Sequence, residues 1–192
     1  MSSSLLANTT TVANLLAAYE GESNAHSKYV AFAAKADTDG WHGAASLFRA
    51  AARAEKIHAS NHARVLKQLG CDAKCVIHPA EVKSTLENLK AALDGEPHEI
   101  DTMYPAFIAE ASATDIPIAK RTFVWAMEAE KTHAHLYAEA IGLVERELKG
   151  SWAAAVCDFY VCSACGFTTK TSEEQERCPV CNLAFDKFEV IR

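Results

Sequence analysis

Helix-breaking residues are scarce in this chain: 8 glycines and 5 prolines in 192 residues, against abundant alanine. That balance favours helix. A basic surplus is also missing. The formal net charge is -6 and the pI about 5.7, which argues against nucleic acid as the main partner, because phosphate binding needs a basic face. There is no run of eighteen apolar residues, so no membrane-spanning helix is expected. The opening MSSSLLANTTTV lacks a basic start and a sustained apolar core, so no signal peptide is expected and the cytoplasm is the default compartment. The cysteine count is odd, seven, which does not suggest a disulfide framework in such a compartment. What the chain does have is 49% hydrophobic residues, enough for a packed core, and a length that suits one ordinary domain plus something small.

Composition changes near residue 150. Before it, alanine and leucine recur at helical intervals; after it come closely spaced cysteines, aromatics and turn residues. We expect a helical domain over 1–152 and a small domain over 153–192, with Gly150 closing the last helix in the usual C-terminal position. Four long helices are expected. Leu15, Tyr19, Glu22, His26, Tyr29 and Ala33 form one stripe of the first; Trp41, Phe48, Glu55, His58, Val65 and Leu69 form one of the second. The turn Asp37-Thr38-Asp39-Gly40 between them is short, so they are antiparallel neighbours. The fourth helix is expected to start at Asp115 as N-cap, with Pro117 in its first turn and a stripe of Phe123, Met127, Glu130, His133, Tyr137 and Val144. The third spans about Ser84 to Ala113 but contains Gly95, Pro97 and Pro105, so it restarts at Pro97 or kinks there. Residues 70–83, with Gly70 and Pro79, read as a long connection across the bundle. Four helices with one long crossover are the ferritin-like topology.

Acids interrupt these apolar stripes. The phrase Ala-Glu-Lys-x-His-Ala occurs twice, in RAEKIHAS (53–60) and EAEKTHAH (128–135). Glu22, Glu96 and Glu99 add carboxylates from the other two helices. Burying unpaired carboxylates is very costly, and each raises the cost of the next. Cations would resolve the conflict. A Glu from each of two helices and a Glu-x-x-His from each of the others is the ferritin-like carboxylate metal site. Glu and His three residues apart lie on one helix face, so Glu55 with His58 and Glu130 with His133 form two half-sites about a pseudo-twofold axis. Mixed oxygen and imidazole donors suit iron or manganese, or zinc. In the tail, Cys162-x-x-Cys165 and Cys178-x-x-Cys181 are two knuckles at the spacing of a four-sulfur site for iron or zinc. A domain of under forty residues needs such a clip to fold. Zinc would make the tail structural, and iron a one-electron carrier.

The motifs GES (21–23), AEKIH, GEPHE (95–99) followed by MYP (103–105), AEKTH, and the tail Tyr-x-Cys-x-x-Cys-Gly-Phe…Cys-Pro-x-Cys together resemble the rubrerythrin family over nearly the whole chain. The resemblance implies an all-α ferritin-like bundle followed by a small β-rich rubredoxin-like domain. It implies that Glu22, Glu55, His58, Glu96, Glu99, Glu130 and His133 ligate two irons, with Glu55 and Glu130 bridging and His58 and Glu99 as alternative ligands of one iron. Tyr29 and Tyr104 would hydrogen-bond ligand carboxylates, and Cys162, Cys165, Cys178 and Cys181 would hold a single iron. The implied activity is reduction of hydrogen peroxide to water in the cytoplasm, with electrons from NAD(P)H arriving through a separate rubredoxin reductase-type donor. The implied assembly is a homodimer. A ferroxidase or oxygen-reducing protein, and a zinc-clipped scaffold without turnover, are the alternatives.

Several residues stand apart from this pattern. Pro97 lies between Glu96 and Glu99, where ligand exchange would occur. Cys71, Cys75 and Cys157 fall outside the knuckles and read as ordinary thiols. His26 and His62 extend the metal stripes by a turn and read as surface or bundle-end histidines. Glu20 and Glu128 fall off the stripes and read as solvated, and Tyr137 reads as a core aromatic.

Overall fold

The computed structural model describes residues 10–170 and 176–192. Helices α1 (Thr10–Thr38) and α2 (His42–Gln68) form an antiparallel pair. Their reversal needs a left-handed residue, and Gly40 supplies it at φ +77° while Trp41 N–H reaches back to the Ala36 carbonyl at 2.9 Å. Residues 71–84 carry no regular structure and return the chain across the bundle. Ser84 then opens α3 (Thr85–Leu93) with a capping box to Glu87. Asp39, at the end of the first reversal, accepts from Thr85 N–H and its hydroxyl at 3.0 and 2.8 Å, which pins the start of α3 to the end of α1.

The third helix is not continuous. After a turn at residues 94–95 come α4 (Glu96–His98), a π-helical turn (Glu99–Met103) and α5 (Tyr104–Ala113). Both prolines stand in first turns, Pro97 of α4 and Pro105 of α5, where a missing N–H costs little. The wide turn between them carries the hydrogen-bond ladder past Pro105. Of the two alternatives the sequence left open, the chain takes the restart.

The fourth long helix, α6, runs Pro117–Glu145. Asp115, expected as its N-cap, instead adopts φ +51° in the turn that ends α5, with Ile116 N–H bonded to the Ala111 carbonyl at 3.0 Å. Aspartate tolerates this conformation, and the preceding helix claims it first. The same correction applies at the far end. Glu147 at φ +51°, not Gly150, closes α6, with Leu148 N–H on the Leu143 carbonyl at 3.1 Å.

The tail forms a three-stranded antiparallel sheet, order β2-β1-β3, from β1 (Phe159–Cys162), β2 (Thr168–Thr169) and β3 (Phe188–Ile191). So the fold is a ferritin-like helical bundle with a small sheet and a four-cysteine knuckle after it. No helix among the described residues is long and apolar enough to cross a membrane.

The bundle holds two apolar clusters. One, around Tyr29, Phe32, Phe48 and Tyr137, continues through Ala153 into Phe159 and Val161 of β1. The other is built on Leu15, Leu66, Tyr104 and Phe123. On α1 and α6 the buried acids and histidines fall between them in sequence, and on α2 His58 and His62 do, with Glu55 set among residues of the first cluster. The tail is fastened to the same helices. Arg53 makes two 2.6 Å bonds to Glu189, Lys170 and the Trp152 indole N–H converge on Glu139, and Ala44 N–H donates to the Ala153 carbonyl at 2.9 Å.

Gly43 lies where the tail first touches α2. A Cβ there would stand 1.7 Å from the Trp152 carbonyl oxygen and 2.6 Å from that of Ala155. Backbone on both sides cannot swing aside. Gly43→Ala should therefore destabilise the protein by about 1–3 kcal/mol. The readouts are a lower melting temperature and faster proteolytic nicking in residues 150–157.

Candidate metal centres

Each Glu-x-x-His pair sits one turn apart on the inner face of its helix, and the two pairs meet. His58 Nδ1 lies 3.0 Å from Glu55 Oε2, 3.0 Å from Glu130 Oε1 and 3.6 Å from Glu22 Oε1. His133 Nδ1 lies 2.7 Å from Glu130 Oε2 and 3.5 Å from Glu55 Oε1. Glu55 and Glu130 thus each present one oxygen to each histidine, the geometry of two bridging carboxylates. Two sets of donor atoms, each within 4.8 Å, emerge: Glu22, Glu55, His58 and Glu130; and Glu96, Glu130 and His133. An ion about 2.1 Å from each donor keeps its donors within about 4.2 Å of one another, so sets within 4.8 Å need close by only about 0.6 Å to hold one.

These groups are 0% to 3% exposed. Among the described residues their charged partners are histidines only. Glu96 Oε2 is buried with no hydrogen-bond partner there, and Glu130 Oε1 has only the His58 ring nitrogen beside it, at 3.0 Å. A buried carboxylate oxygen without a donor is a strong sign that a cation belongs beside it. Burial and the nearby Glu55 push Glu22 up to about 8. Burial and the neighbouring acids also hold Glu96 and Glu99 well above the carboxylate range. Burial would raise Glu55 too, but hydrogen bonds from His133 and His58 outweigh it and pull the group down. Glu99 joins neither donor set; it stands at the floor of a cavity beside them.

Of the two tyrosines, Tyr104 reaches a carboxylate, donating to Glu22, whereas Tyr29 packs among Phe32, Phe48 and Tyr137. His62 is not a bundle-end histidine. It is fully buried, 3.4 Å from the Tyr104 hydroxyl and 3.2 Å from Thr122 Oγ1, and burial pushes it down to about 3, so the ring is neutral. It lies one turn beyond His58, and the chain after the π turn brings Tyr104 over it. Neither that covering nor Thr122 has a local signal in the sequence. His26 faces outward, with Nδ1 at 2.7 Å from the Ala52 carbonyl. Glu128 pairs with Lys131 on the surface. Cys71, Cys75 and Cys157 are free and partly exposed, outside both metal sets and the knuckle.

In the tail, Cys162 and Cys181 sulfurs are 3.5 Å apart, as are those of Cys165 and Cys178. A disulfide needs about 2.05 Å. A tetrahedron with 2.3 Å metal–sulfur bonds has edges of about 3.8 Å, so this is a metal knuckle. Its halves match. Gly166 N–H bonds the Cys162 carbonyl and Asn182 N–H the Cys178 carbonyl, both at 2.9 Å, with φ of +82° and +63°. Hydrogen bonds from Cys162 and Cys165 draw Cys178 down to about 2, and giving those bonds, with burial, raises Cys165. Four thiolates together need a cation's charge.

The two centres touch. With Nδ1 turned to the carboxylates, Nε2 of His58 is left to donate to the Cys165 carbonyl at 3.0 Å. His133 Nε2 donates to Thr168 Oγ1 at 3.2 Å, and Thr168 passes its own proton to the Gly166 carbonyl at 2.9 Å. Asn61 adds a bond to the Ala164 carbonyl at 2.8 Å. A Cβ on Gly166 would lie 2.3 Å from His58 Nε2, so the close approach requires glycine for space as well as for its φ. Asn61 and Thr168 carried no mark in the sequence, because their partners lie more than 30 residues away.

The rubrerythrin family model matches residues 13–141. The chain belongs to the rubrerythrin family. It is 39% identical over 177 residues to "Rubrerythrin-2" of Clostridium acetobutylicum, covering 91% of this chain and 93% of that one. It is 35% identical over 180 residues to "Nigerythrin" of Nitratidesulfovibrio vulgaris, covering 93% and 85%. The solved structure of fully reduced, all-ferrous nigerythrin superposes with a TM-score of 0.83 at 34% identity, covering 96% of this chain and 90% of that one. A Desulfovibrio desulfuricans bacterioferritin, at 19% identity and TM-score 0.69, shares the fold. The rubrerythrin carboxylate cluster is therefore a two-iron site, its four cysteines form a rubredoxin-type iron site, and the protein is of oxidoreductase kind.

The buried acids set a pH signature for the metal-free protein. Glu22 rises from 4.5 to about 8 on folding, and Glu96 and Glu99 rise as well. Groups raised in the folded state contribute fully below the unfolded value and lose that contribution as pH climbs through the folded one. His58 and His133, raised chiefly by Glu130 against the effect of burial, act in the same direction, while His62, lowered by burial, opposes them in part. The stripped protein should melt lower at pH 8 than at pH 5, and ferrous iron should restore most of the difference at pH 8. Thermal melts of both forms across this range check it.

Proposed function

We propose that this rubrerythrin is a peroxidase reducing hydrogen peroxide to water, H2O2 + 2 H+ + 2 e− giving 2 H2O, as part of oxidative stress defence. Glu22, Glu55, His58, Glu96, Glu99, Glu130 and His133 would hold the iron pair, with Glu55 and Glu130 bridging. Cys162, Cys165, Cys178 and Cys181 would hold the single iron. The iron pair supplies two electrons to one oxidant at a fixed place, which avoids one-electron release of hydroxyl radical.

The observation that carries this reading is the His58 ring. One nitrogen faces Glu22, Glu55 and Glu130, and the other donates to the carbonyl of a knuckle cysteine. A storage protein has no use for a four-sulfur iron held against its carboxylate site, whereas an enzyme refilled one electron at a time does. Tyr104 orients Glu22, and neutral His62, itself held by Thr122, steadies Tyr104 in turn. His58 and Glu99 would serve as alternative ligands of one iron. That His58 belongs to a donor set while Glu99 lines the cavity next to Glu55 and Glu96 supports this reading. A domain boundary at 152/153 accords with the turn-rich residues after α6. The NAD(P)H-dependent reductase, the homodimer and the cytoplasm rest on the family resemblance.

The test is stopped-flow mixing of the fully reduced protein with one equivalent of hydrogen peroxide or of dioxygen, following the red colour of the ferric four-sulfur site. Fast return with peroxide and slow return with dioxygen is expected; the reverse order would overturn the peroxidase in favour of an oxidase. His58→Ala should stay folded and red but recolour about 10- to 100-fold more slowly with peroxide. Full-speed recolouring would remove His58 from the relay and from ligand exchange.

A further inference from the structure

The iron pair is buried, so its substrate needs a way in. A surface depression of about 620 Å³ lies on the outer face of α1 and α2 and is lined by no carboxylate. A smaller cavity of about 320 Å³ differs in where it ends. In its lining Tyr29, Glu55 and Glu96 are buried, Asn24, Lys28 and Glu99 are half-buried, and Gly21, His78 and Glu81 are exposed. It is thus open to solvent at one end and lined by donor carboxylates at the other.

Two features of the chain form it. Gly21, Asn24, Ala25 and Lys28 recur three and four apart, so one stripe of α1 makes a wall. The crossing loop makes the roof, and Asn24 sets its height. The Asn24 amide donates to the Val76 carbonyl at 2.9 Å and accepts from the His78 N–H at 2.8 Å. A bracket at 76 and 78 keeps the loop from falling onto the acids. Gly21 lies at the exposed end of that stripe. It is exposed, and a Cβ there would meet nothing within 4 Å. Glycine within a helix costs roughly 1 kcal/mol against alanine, and here neither a positive φ nor a close neighbour calls for it. What a side chain at this position would change is the space at the rim.

We infer that the opening between α1 and the crossing loop is the common entry for iron and hydroperoxide, and that Gly21 is its size-determining residue. The inference takes its oxidant from the peroxidase reading above. A cavity of 320 Å³ also holds a small organic hydroperoxide, so the acceptor class extends from hydrogen peroxide to short alkyl hydroperoxides. Glu81 at the rim and Glu96 and Glu99 below it give an entering cation an acidic path.

The test is a graded series, Gly21→Ala, Gly21→Leu and Gly21→Phe. Since glycine is the poorer helix former, the melting temperatures should not fall, which separates plugging from unfolding. The first readout needs no turnover: binding of cobalt(II) to the metal-free protein, followed by its visible absorption. Uptake at the carboxylate site should slow in the order Ala, Leu, Phe, by tenfold or more for Phe, while cobalt loading of the four-cysteine site keeps its parent rate. The second readout is recolouring of the reduced, iron-loaded variants with hydrogen peroxide and with tert-butyl hydroperoxide; the slowing should be larger for the bulkier oxidant. Parent rates for cobalt and both oxidants in Gly21→Phe would overturn the entry route. If cobalt uptake slows in the series but even the parent fails to recolour with either peroxide, the passage stands for metal and the peroxidase reading falls.

Discussion

Five glutamates and two histidines in the middle of an alanine-rich bundle are the constraint from which the rest of the structure follows. A carboxylate removed from water loses several kcal/mol unless something replaces its hydration. No lysine or arginine does so among the described residues, where the charged partners are histidines. The remaining solution is positive charge from metal. This explains why two apolar clusters, not one, hold the helices together. On α1 and α6 each lies to one side of the polar stretch, so most of the packing that stabilises the bundle does not pass through the acids. The pairing of Glu55 and Glu130 across both histidines is the geometry that two adjacent cations impose.

The same constraint shapes the tail's position. A histidine that offers Nδ1 to a metal must place its other N–H somewhere, and in a dry core a carbonyl is the economical answer. His58 finds the Cys165 carbonyl and His133 finds Thr168. The second iron site is therefore joined to the first by the hydrogen bonds that fix the first site's ligands. Positioning a ligand and connecting two redox centres are one structural act here. Arg53, Glu139 and Gly43 secure the approach from the flanks.

Much of this was legible in the sequence because it is written in helical period. The repeated Ala-Glu-Lys-x-His-Ala phrase, Glu22 on its stripe and the paired knuckles all express a face or a spacing, and the structure brings them together as that spacing requires. What could not be read depends on long-range contacts or on competition between adjacent turns. His62 looked like a surface residue because its cover, Tyr104, arrives from 42 residues away. Asp115 had the right chemistry for an N-cap, but the end of α5 used it in a left-handed turn, and Glu147 took the place expected for Gly150 in the same way. The fate of the third helix was undecidable from prolines alone, since either a kink or a restart accommodates them. Asn61, Thr122 and Thr168 are common polar residues whose meaning comes only from their partners.

The π turn from Glu99 to Met103 has a consequence for how this chain tolerates change in length. Such a turn holds one residue more than regular α-helix would at the same point. Deleting one residue there would restore ordinary helical bonding and improve the local backbone. If the same number of residues wound as regular α-helix instead, everything after them would turn by about 100°, taking Tyr104 away from Glu22 while Glu96 stayed in place. A helix that is locally imperfect is what keeps the two ends of the third helix in phase with one metal site.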